Sequence, residues 1–561
     1  MNQSDTHLLN RLIAFDHFRV SALIVRLANT LMMDLLAVLG DFIQLSARSV
    51  LLSLLVCLTL MLWLLSGRRQ LPGPFSWPVI GNAAQLGTSP HFYFSRMAQK
   101  YGDVFQIKLG SRNVVVLNGD AIKEALIKKG VDFAGRPDFA SFRFVSHGKS
   151  MAFGNYSQWW KLHRKIAHST VRNFSTANIH TKQTFEKHIV CEIGELIRLF
   201  LNKTREQQYF EPHRYLVVSV ANTMSAVCFG NRYSFDDEEF QQVVGRNDQF
   251  TKTVGAGSIV DVMPWLQYFP NPIKTLFDQF KALNKEFNEF IYSKVAEHRK
   301  TLLMSLVRDM TDAFIVALDK GLSGGPGVFL DKEYVPPTIA DIFGASQDTL
   351  STALQWIILL IVRYPEVQKR LQEDVDKVAD RSRLPTIADQ PHLPYVMAFI
   401  YEVMRFTSFV PVTIPHSTTT DTSINGYPIP KDTIIFVNQW SLNHDPTKWD
   451  QPEVFNPQRF LDEDGALNKD LTTNVLIFSV GKRRCIGEDL SKIQLFLFTS
   501  LLVHQCRFTA ETTPSMDYVY GLTLKPRSFK VSVTLRDSTE LLESLVGTSQ
   551  TPTQKRQRPQ V

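Results

Sequence analysis

From Val50 to Leu65 every residue is apolar except Ser53 and Thr59, and Ser49, Ser66 and Gly67 extend the stretch to 19 positions. About 20 such residues span a bilayer core as a helix. The stretch ends at Arg68 and Arg69, and Pro72, Pro74 and Pro78 follow within a few residues, which no helix can continue through. The pattern predicts a transmembrane anchor over 49–67 and a basic, proline-rich hinge over 68–81. A cleaved signal peptide fits less well, because the run is long, starts about 50 residues in, and lacks a small-residue cleavage site. Arg68 and Arg69 after the span outnumber Arg48 close before it, which puts the following body in the cytosol. In residues 1–48 the apolar runs Leu23–Leu27 and Leu31–Leu39 are broken by Arg26 and Asp34, the mark of an amphipathic leader.

After the hinge, 82–535 reads as one large domain, mainly α with small β-sheets (α+β). Strand-like runs are few: Val104–Leu109, Val114–Leu117, Thr433–Val437 and the alternating Phe529–Thr534. Helical periodicity dominates from Phe185 to Val378. Thr338–Tyr364, bounded by Pro336-Pro337 and Pro365, predicts 27 residues of helix, about 40 Å. It is apolar on nearly all faces and carries Asp341, Gln347 and Asp348, so it is expected to run through the domain interior rather than through a membrane. Past Arg536 periodicity fades, and 536–561 is expected to be a disordered tail.

Composition narrows the class. Apolar residues are 44% and charged residues 20%, a globular balance; 61 Lys and Arg against 54 Asp and Glu leave a diffuse +7, not a nucleic-acid footprint. Five cysteines without a CxxC pair exclude a disulfide scaffold and a cysteine-rich zinc module. Gly255-Ala256-Gly257 lacks the setting of a dinucleotide loop, and no phosphate-loop motif is present.

The chemistry concentrates at Phe478-Ser479-Val480-Gly481-Lys482-Arg483-Arg484-Cys485-Ile486-Gly487, ahead of an apolar helix over Leu490–Val503. A thiol on a glycine-shaped loop before a helix N-terminus, with Arg483 and Arg484 beside it, is expected to ionise. Such a thiolate can ligate haem iron and favour O–O cleavage. A lone cysteine is more often a buried structural residue. The pattern Phe-x-x-Gly-x-Arg-x-Cys-x-Gly decides otherwise, since chance produces it in about one of several thousand chains of this length.

This loop resembles the haem-binding signature of the cytochrome P450 superfamily, and further motifs of that superfamily follow in order over roughly Leu71–Leu535. Trp160-Lys161-Leu162-His163-Arg164 is similar to the W-x-x-x-R helix, which implies that Trp160 and Arg164 hold a haem propionate. Glu402-Val403-Met404-Arg405 is similar to the E-x-x-R pair. Phe455-Asn456-Pro457-Gln458-Arg459-Phe460 is similar to the F-x-P-E-R-F box, with Gln458 for the usual Glu. The resemblance implies haem b as cofactor, Cys485 as axial ligand, Phe478, Arg483, Gly487 and His416 around the haem, and a charge cluster of Glu402, Arg405 and Arg459 supporting the loop.

On the long helix, Gly344-Ala345-Ser346-Gln347-Asp348-Thr349 resembles the oxygen-activation motif, with Ser346 replacing its second glycine. An acid beside an alcohol can relay protons to oxygen under reduction, so Asp348 and Thr349 are the catalytic candidates. Phe343–Leu354, Phe409–His416 and Phe478–Glu488 resemble the dioxin-inducible family 1 of these enzymes, most of all its B subfamily. That implies a pocket lined by Phe142, Asn247, Phe250, Asn284, Gly344, Ala345, Val410 and Leu522, taking planar aromatics, steroids such as oestrogens, retinoids and fatty acids. Phenylalanines clustered ahead of Trp160 suit a flat ligand independently.

The expected activity is that of a membrane-bound haem-thiolate monooxygenase hydroxylating or epoxidising such substrates with O2. The chain has no flavin or nicotinamide fingerprint, so electrons must come from NADPH through a separate cytochrome P450 reductase, with cytochrome b5 as a second partner. The expected place is the endoplasmic reticulum membrane with a cytosolic catalytic domain, and the mitochondrion as a second location. The alternative is a haem-thiolate isomerase or dehydratase acting on lipid peroxides, which needs no proton delivery and so leaves Asp348-Thr349 without a purpose.

Overall fold

The computed structural model describes residues 32, 52–57, 71–177, 179–235, 237–302, 307–319 and 330–537; the side chains of 176, 177, 179, 247, 248 and 250–258 lie outside that description. The chain divides into two units, 1–70 and 71–561. In the first, residues 52–57 are helical. The leader, the rest of the expected anchor and the tail beyond 537 lie outside the described residues.

The second unit carries α1 (Pro90–Tyr101), α2 (Gln158–Arg172), α3 (Ile179–Gln207), α4 (His213–Phe229), α5 (Glu238–Val262), α6 (Pro272–Thr301), α7 (Met310–Asp319), α8 (Val335–Arg363), α9 (Pro365–Val378), α10 (Pro394–Thr407) and α11 (Glu488–Gln505). The main sheet has the order β1-β2-β6-β3 from β1 (Val104–Leu109), β2 (Arg112–Leu117), β3 (His416–Ser417) and β6 (Ile434–Val437). Two-stranded ribbons pair β4 (Thr422–Ile424) with β5 (Tyr427–Ile429), β7 (Cys506–Thr509) with β10 (Ser532–Leu535), and β8 (Tyr518–Tyr520) with β9 (Leu524–Pro526). This is the helix-dominated architecture with small sheets that the sequence predicts.

α8 starts at Val335, three residues earlier than expected, because Pro336 and Pro337 fall in its first turn. There the missing N–H groups have no intrahelical partner to lose, so proline starts a helix instead of breaking it. α8 is long and apolar enough to cross a membrane, yet 83% of its most apolar window is buried inside the protein. Its residues pack with those of α3, α4, α10 and α11 into the principal core. A rod buried on most sides fixes the height and rotation of whatever it presents to the site.

Candidate active site

The segment Phe478–Gly487 is shaped by its backbone. Gly481 has φ +76°, and a Cβ there would fall 1.8 Å from the Leu126 carbonyl oxygen, so only glycine closes the loop on its neighbour. Ser479 also takes a left-handed φ of 58°. The Cys485 N–H donates to the Phe478 carbonyl (2.8 Å), tying the two ends together. Cys485 is surface-accessible, the Gly487 N–H is directed at its sulfur, and α11 begins one residue beyond Gly487.

One electrostatic expectation needs correcting. Although Cys485 keeps accessible surface, the protein crowded around its sulfur desolvates the thiol and pushes its pKa up rather than down; the Gly487 N–H, Arg164 and Arg484 oppose that shift, and Glu488 adds to it. Arg483 is turned away from the sulfur and donates to the carbonyls of Ala134 (2.8 Å), Met151 (3.2 Å) and Gly154 (2.8 Å). A metal ion bound at this sulfur would favour the thiolate.

Arg483 belongs to a cluster of guanidiniums. Its plane lies 4.0 Å over the Trp160 ring, and that of Arg164 lies 5.5 Å from the same ring. Arg136, which the sequence reading missed, donates to the carbonyls of Ala152 (2.9 Å), Ile414 (3.2 Å) and Pro415 (3.0 Å). Burial first, then mutual repulsion, pushes Arg136 down to about 9 and Arg483 to about 7, and burial lowers Arg164 as well. Among the described residues none of the three has a carboxylate in ion-pair contact. Trp160 gives its indole N–H to the Met151 carbonyl (2.8 Å), so its contribution is a ring face rather than a donor. His416 is buried, held neutral by burial and by Arg136, and its Nδ1 pairs with the Phe133 carbonyl (2.8 Å). Only an arriving anion would favour the imidazolium that could donate from Nε2.

Glu402, Arg405 and Arg459 do come together. Arg405 donates to both Glu402 oxygens (2.7 and 2.8 Å), Arg459 Nε reaches the same carboxylate at 3.2 Å, and the Asn456 N–H donates to it at 2.8 Å. Glu402 and Arg405 are 0% exposed. Arg405 continues to the Asn443 carbonyl (3.0 Å), and the Asn443 amide brackets Leu476, accepting from its N–H (2.7 Å) and donating to its carbonyl (3.0 Å). The cluster thus reaches within two residues of Phe478, where the cysteine loop starts.

On α8, Ala345 is exposed and Thr349, one turn on, is partly so. The Thr349 hydroxyl donates to the Ala345 carbonyl (2.9 Å). Asp348 is rotated about 100° from Thr349 by the helical step. Its buried carboxylate accepts from the Thr523 hydroxyl (2.9 Å) and pairs with Lys525 (2.7 Å), both of the β8–β9 hairpin.

Of the expected pocket residues, Phe142 meets Phe139 edge-to-face (ring centroids 5.1 Å apart) and Phe153 at a tilt (4.8 Å). Gly344 receives the Phe287 ring, which a Cβ would meet at 3.4 Å. Asn284 is buried and spends an amide N–H on the Phe280 carbonyl (2.8 Å). Val410 is partly buried, and Leu522 lies exposed at the hairpin tip. The hairpin is fixed by Leu524 N–H to the Phe409 carbonyl (2.8 Å) and Trp356 Nε1–H to the Leu524 carbonyl (2.7 Å), which draws Leu522 and Val410 toward α8. Asn247 and Phe250 lie on α5, and their side chains are outside the described residues.

A thiol on a glycine-closed loop, three guanidiniums with no carboxylate partner among the described residues, and an acid–alcohol pair on an interior helix are together the parts of a haem-thiolate oxidoreductase. The cytochrome P450 family model matches residues 71–533, and the chain belongs to that family. Within it the chain falls in family 1, B subfamily. It is 59% identical over 490 residues to human cytochrome P450 1B1 (85% of this chain, 90% of the relative) and 56% identical to the mouse protein of that name (86% and 90%). It is 43% identical to guinea pig (Cavia porcellus) cytochrome P450 1A1 (82% and 90%). Among solved structures, a zebrafish cytochrome P450 with progesterone superposes with a TM-score of 0.71 at 33% identity, covering 80% of this chain and 99% of that one.

The chain is accordingly a monooxygenase that carries haem b, and its own residues fit that group. Three guanidiniums that have no carboxylate partner among the described residues suit an anionic ligand, and haem b brings two propionates. The accessible Cys485 sulfur offers the soft donor that haem iron takes.

Proposed function

We propose that the protein hydroxylates or epoxidises flat, lipophilic substrates, polycyclic aromatics and steroids foremost, with retinoids and fatty acids as further substrates. Electrons come from NADPH through a separate flavoprotein reductase, with cytochrome b5 as a second donor. The enzyme is held on the endoplasmic reticulum membrane by the 49–67 span with its catalytic body in the cytosol, and the mitochondrion is a second location. The observation that carries the substrate class is the aromatic cluster of Phe139, Phe142 and Phe153, together with small residues at accessible positions of α8, Gly344 and Ala345. Flat π faces favour a flat ligand, and small residues let it approach. The zebrafish neighbour solved with progesterone, a flat polycycle, supports the steroid class.

Haem b supplies the redox chemistry that activates dioxygen for insertion into the substrate. The chain's residues do the rest. Cys485 provides the thiolate; Arg136, Arg164 and Arg483 neutralise the propionates. Thr349 Oγ1 holds a proton at the accessible face of α8, and Asp348 resupplies it from the outer side, where Lys525 is 20% exposed. Lys482 and Arg484 are exposed beside the cysteine loop and suit an acidic reductase surface.

The test is oxidation of a planar aryl ether by the purified protein with reductase and NADPH. Product that depends on both supports the reading. Turnover of a lipid hydroperoxide without NADPH, and none of the ether, would establish the isomerase alternative.

A further inference from the structure

Two carboxylates outside the proton relay, one buried and one partly buried, grip the segment 140–152. The outer grip is Asp261, next to the C-terminal residue of α5. Its Oδ1 accepts the Ser141 N–H (2.9 Å) and its Oδ2 accepts the Ser141 hydroxyl (2.5 Å), with both residues buried. The inner grip is Asp341 of α8. It accepts from the Ser150 hydroxyl (2.8 Å), the Met151 N–H (2.6 Å), the Ala152 N–H (3.2 Å) and the Ser146 hydroxyl (3.3 Å).

The two grips hold different things. The inner one fixes Met151 and Ala152, whose carbonyls receive Trp160, Arg483 and Arg136, so it belongs to the cofactor cradle. The outer one fixes the short helix Ala140–Phe144, which carries Phe142. That helix does not join the principal core. Ala140 and Val145 pack on a satellite of Val260, Phe277 and Phe280, contributed by α5 and α6, and Phe142 packs on the cluster that the main sheet forms with Phe139 and α1. Between the grips, Ser146, His147 and Gly148 all take left-handed backbone angles (φ 50°, 52° and 74°). Two of these residues carry a Cβ, so the turn is strained, and strain of this kind persists where both flanks are held. A five-residue helix outside the principal core, joined to the rigid part by a strained turn and held at its start by one carboxylate, has the build of a lid with one detachable end.

We propose that Asp261 is a positioning residue that latches an aromatic lid over the substrate pocket, so that breaking its bonds to Ser141 frees the Ala140–Phe144 helix while the inner half stays on Asp341. The role rests on the proposed oxidation of flat substrates in that pocket. Asp261 does not touch the reacting atoms; it sets how long Phe142 keeps a ligand covered.

The experiment combines amide hydrogen exchange with stopped-flow release of a flat polycyclic aromatic ligand, followed by the haem spectrum. It uses the full-length haem-loaded protein and its Asp261→Ala, Asp261→Asn and Ser141→Ala variants. In Asp261→Ala two hydrogen bonds to a charged acceptor are lost. Amides over 139–146 should then exchange at least ~10-fold faster, with ligand release faster by a similar factor. Amides over 150–154 and the thiolate spectrum should stay as in the unaltered protein. Asp261→Asn, whose amide can still pair both ways with Ser141, should keep most of the protection. Ser141→Ala should loosen the same stretch less than Asp261→Ala, and it tests the latch if the Ala variant at 261 fails to fold. Unchanged exchange over 139–146 in both Ala variants, or loosening spread evenly to 154, would overturn the latch. A ligand that fails to bind the unaltered protein would instead overturn the pocket reading, and the exchange pattern would still decide the latch.

Discussion

Replacing Glu402 by Gln leaves the shape of the side chain nearly unchanged and removes its charge. Arg405 is then a fully buried cation whose remaining partners are the carbonyls of Asn443, Pro452 and Val454. The new amide also turns a donor toward the donors of Arg405 or Arg459. Removing one partner of a buried pair costs about 3–5 kcal/mol. Over the roughly 460 residues of the matched domain, an unfolding entropy of about 2.1 cal/mol/K per residue amounts to about 1 kcal/mol per degree. The thermal midpoint of the haem-loaded protein should therefore fall by ~3–5 °C. Because Arg405 leads through Asn443 to Leu476, haem retention on warming should fall with it. The double variant Glu402→Gln, Arg405→Met should recover part of the loss, since no buried charge then stands alone. Scanning calorimetry alongside the thiolate absorption measures both. A midpoint within one degree in the single variant would refute the argument that this network bears on the cysteine loop.

Other outcomes follow from the same geometry. Arg136→Gln should speed haem loss to a scavenging apoprotein by ~10-fold or more, the worth of one charge-assisted hydrogen bond, without altering the thiolate spectrum; an unchanged rate would remove Arg136 from the cradle. Thr349→Ala should keep substrate binding while product per NADPH falls by ~10-fold and hydrogen peroxide rises, and unchanged coupling would count against the relay. Asp341 is pushed up to about 6 by burial. The folded state thus holds that proton more tightly than the unfolded chain does, so stability from this group is full below pH ~4 and lost as pH rises through 6. The two pKa units correspond to about 3 kcal/mol. The hydroxyls of Ser146 and Ser150 and the N–H groups of Met151 and Ala152 face the carboxylate and partly oppose that rise. The thermal midpoint of the unaltered protein relative to Asp341→Asn should consequently decline between pH 4 and 7, and a difference flat in pH would contradict the assignment.

What the sequence disclosed was local. The cysteine loop, the Glu402–Arg405 spacing and the interior helix are written in contiguous residues whose spacing carries the physics. The start of α8 was misjudged because proline reads as a stop unless it falls in the first turn. Arg136 escaped because a single Arg before Pro137 makes no pattern; its role appears only when Arg164 and Arg483 arrive from other segments. The Lys525–Asp348 pair spans distant parts of the chain, and nothing along either segment points to the other. The charges around Cys485 differ from those expected for a related reason. Sequence proximity counted Arg483 as a neighbour of the sulfur, whereas the fold turns it to carbonyls and brings Arg164 instead.

The account stands or falls on the sulfur of Cys485. Reduced protein carrying carbon monoxide should show the red-shifted Soret band of a thiolate-ligated haem, and Cys485→His, with haem still bound, should lose that band along with NADPH-dependent oxidation. A thiolate-type spectrum persisting in Cys485→His would contradict the assignment on which the rest is built.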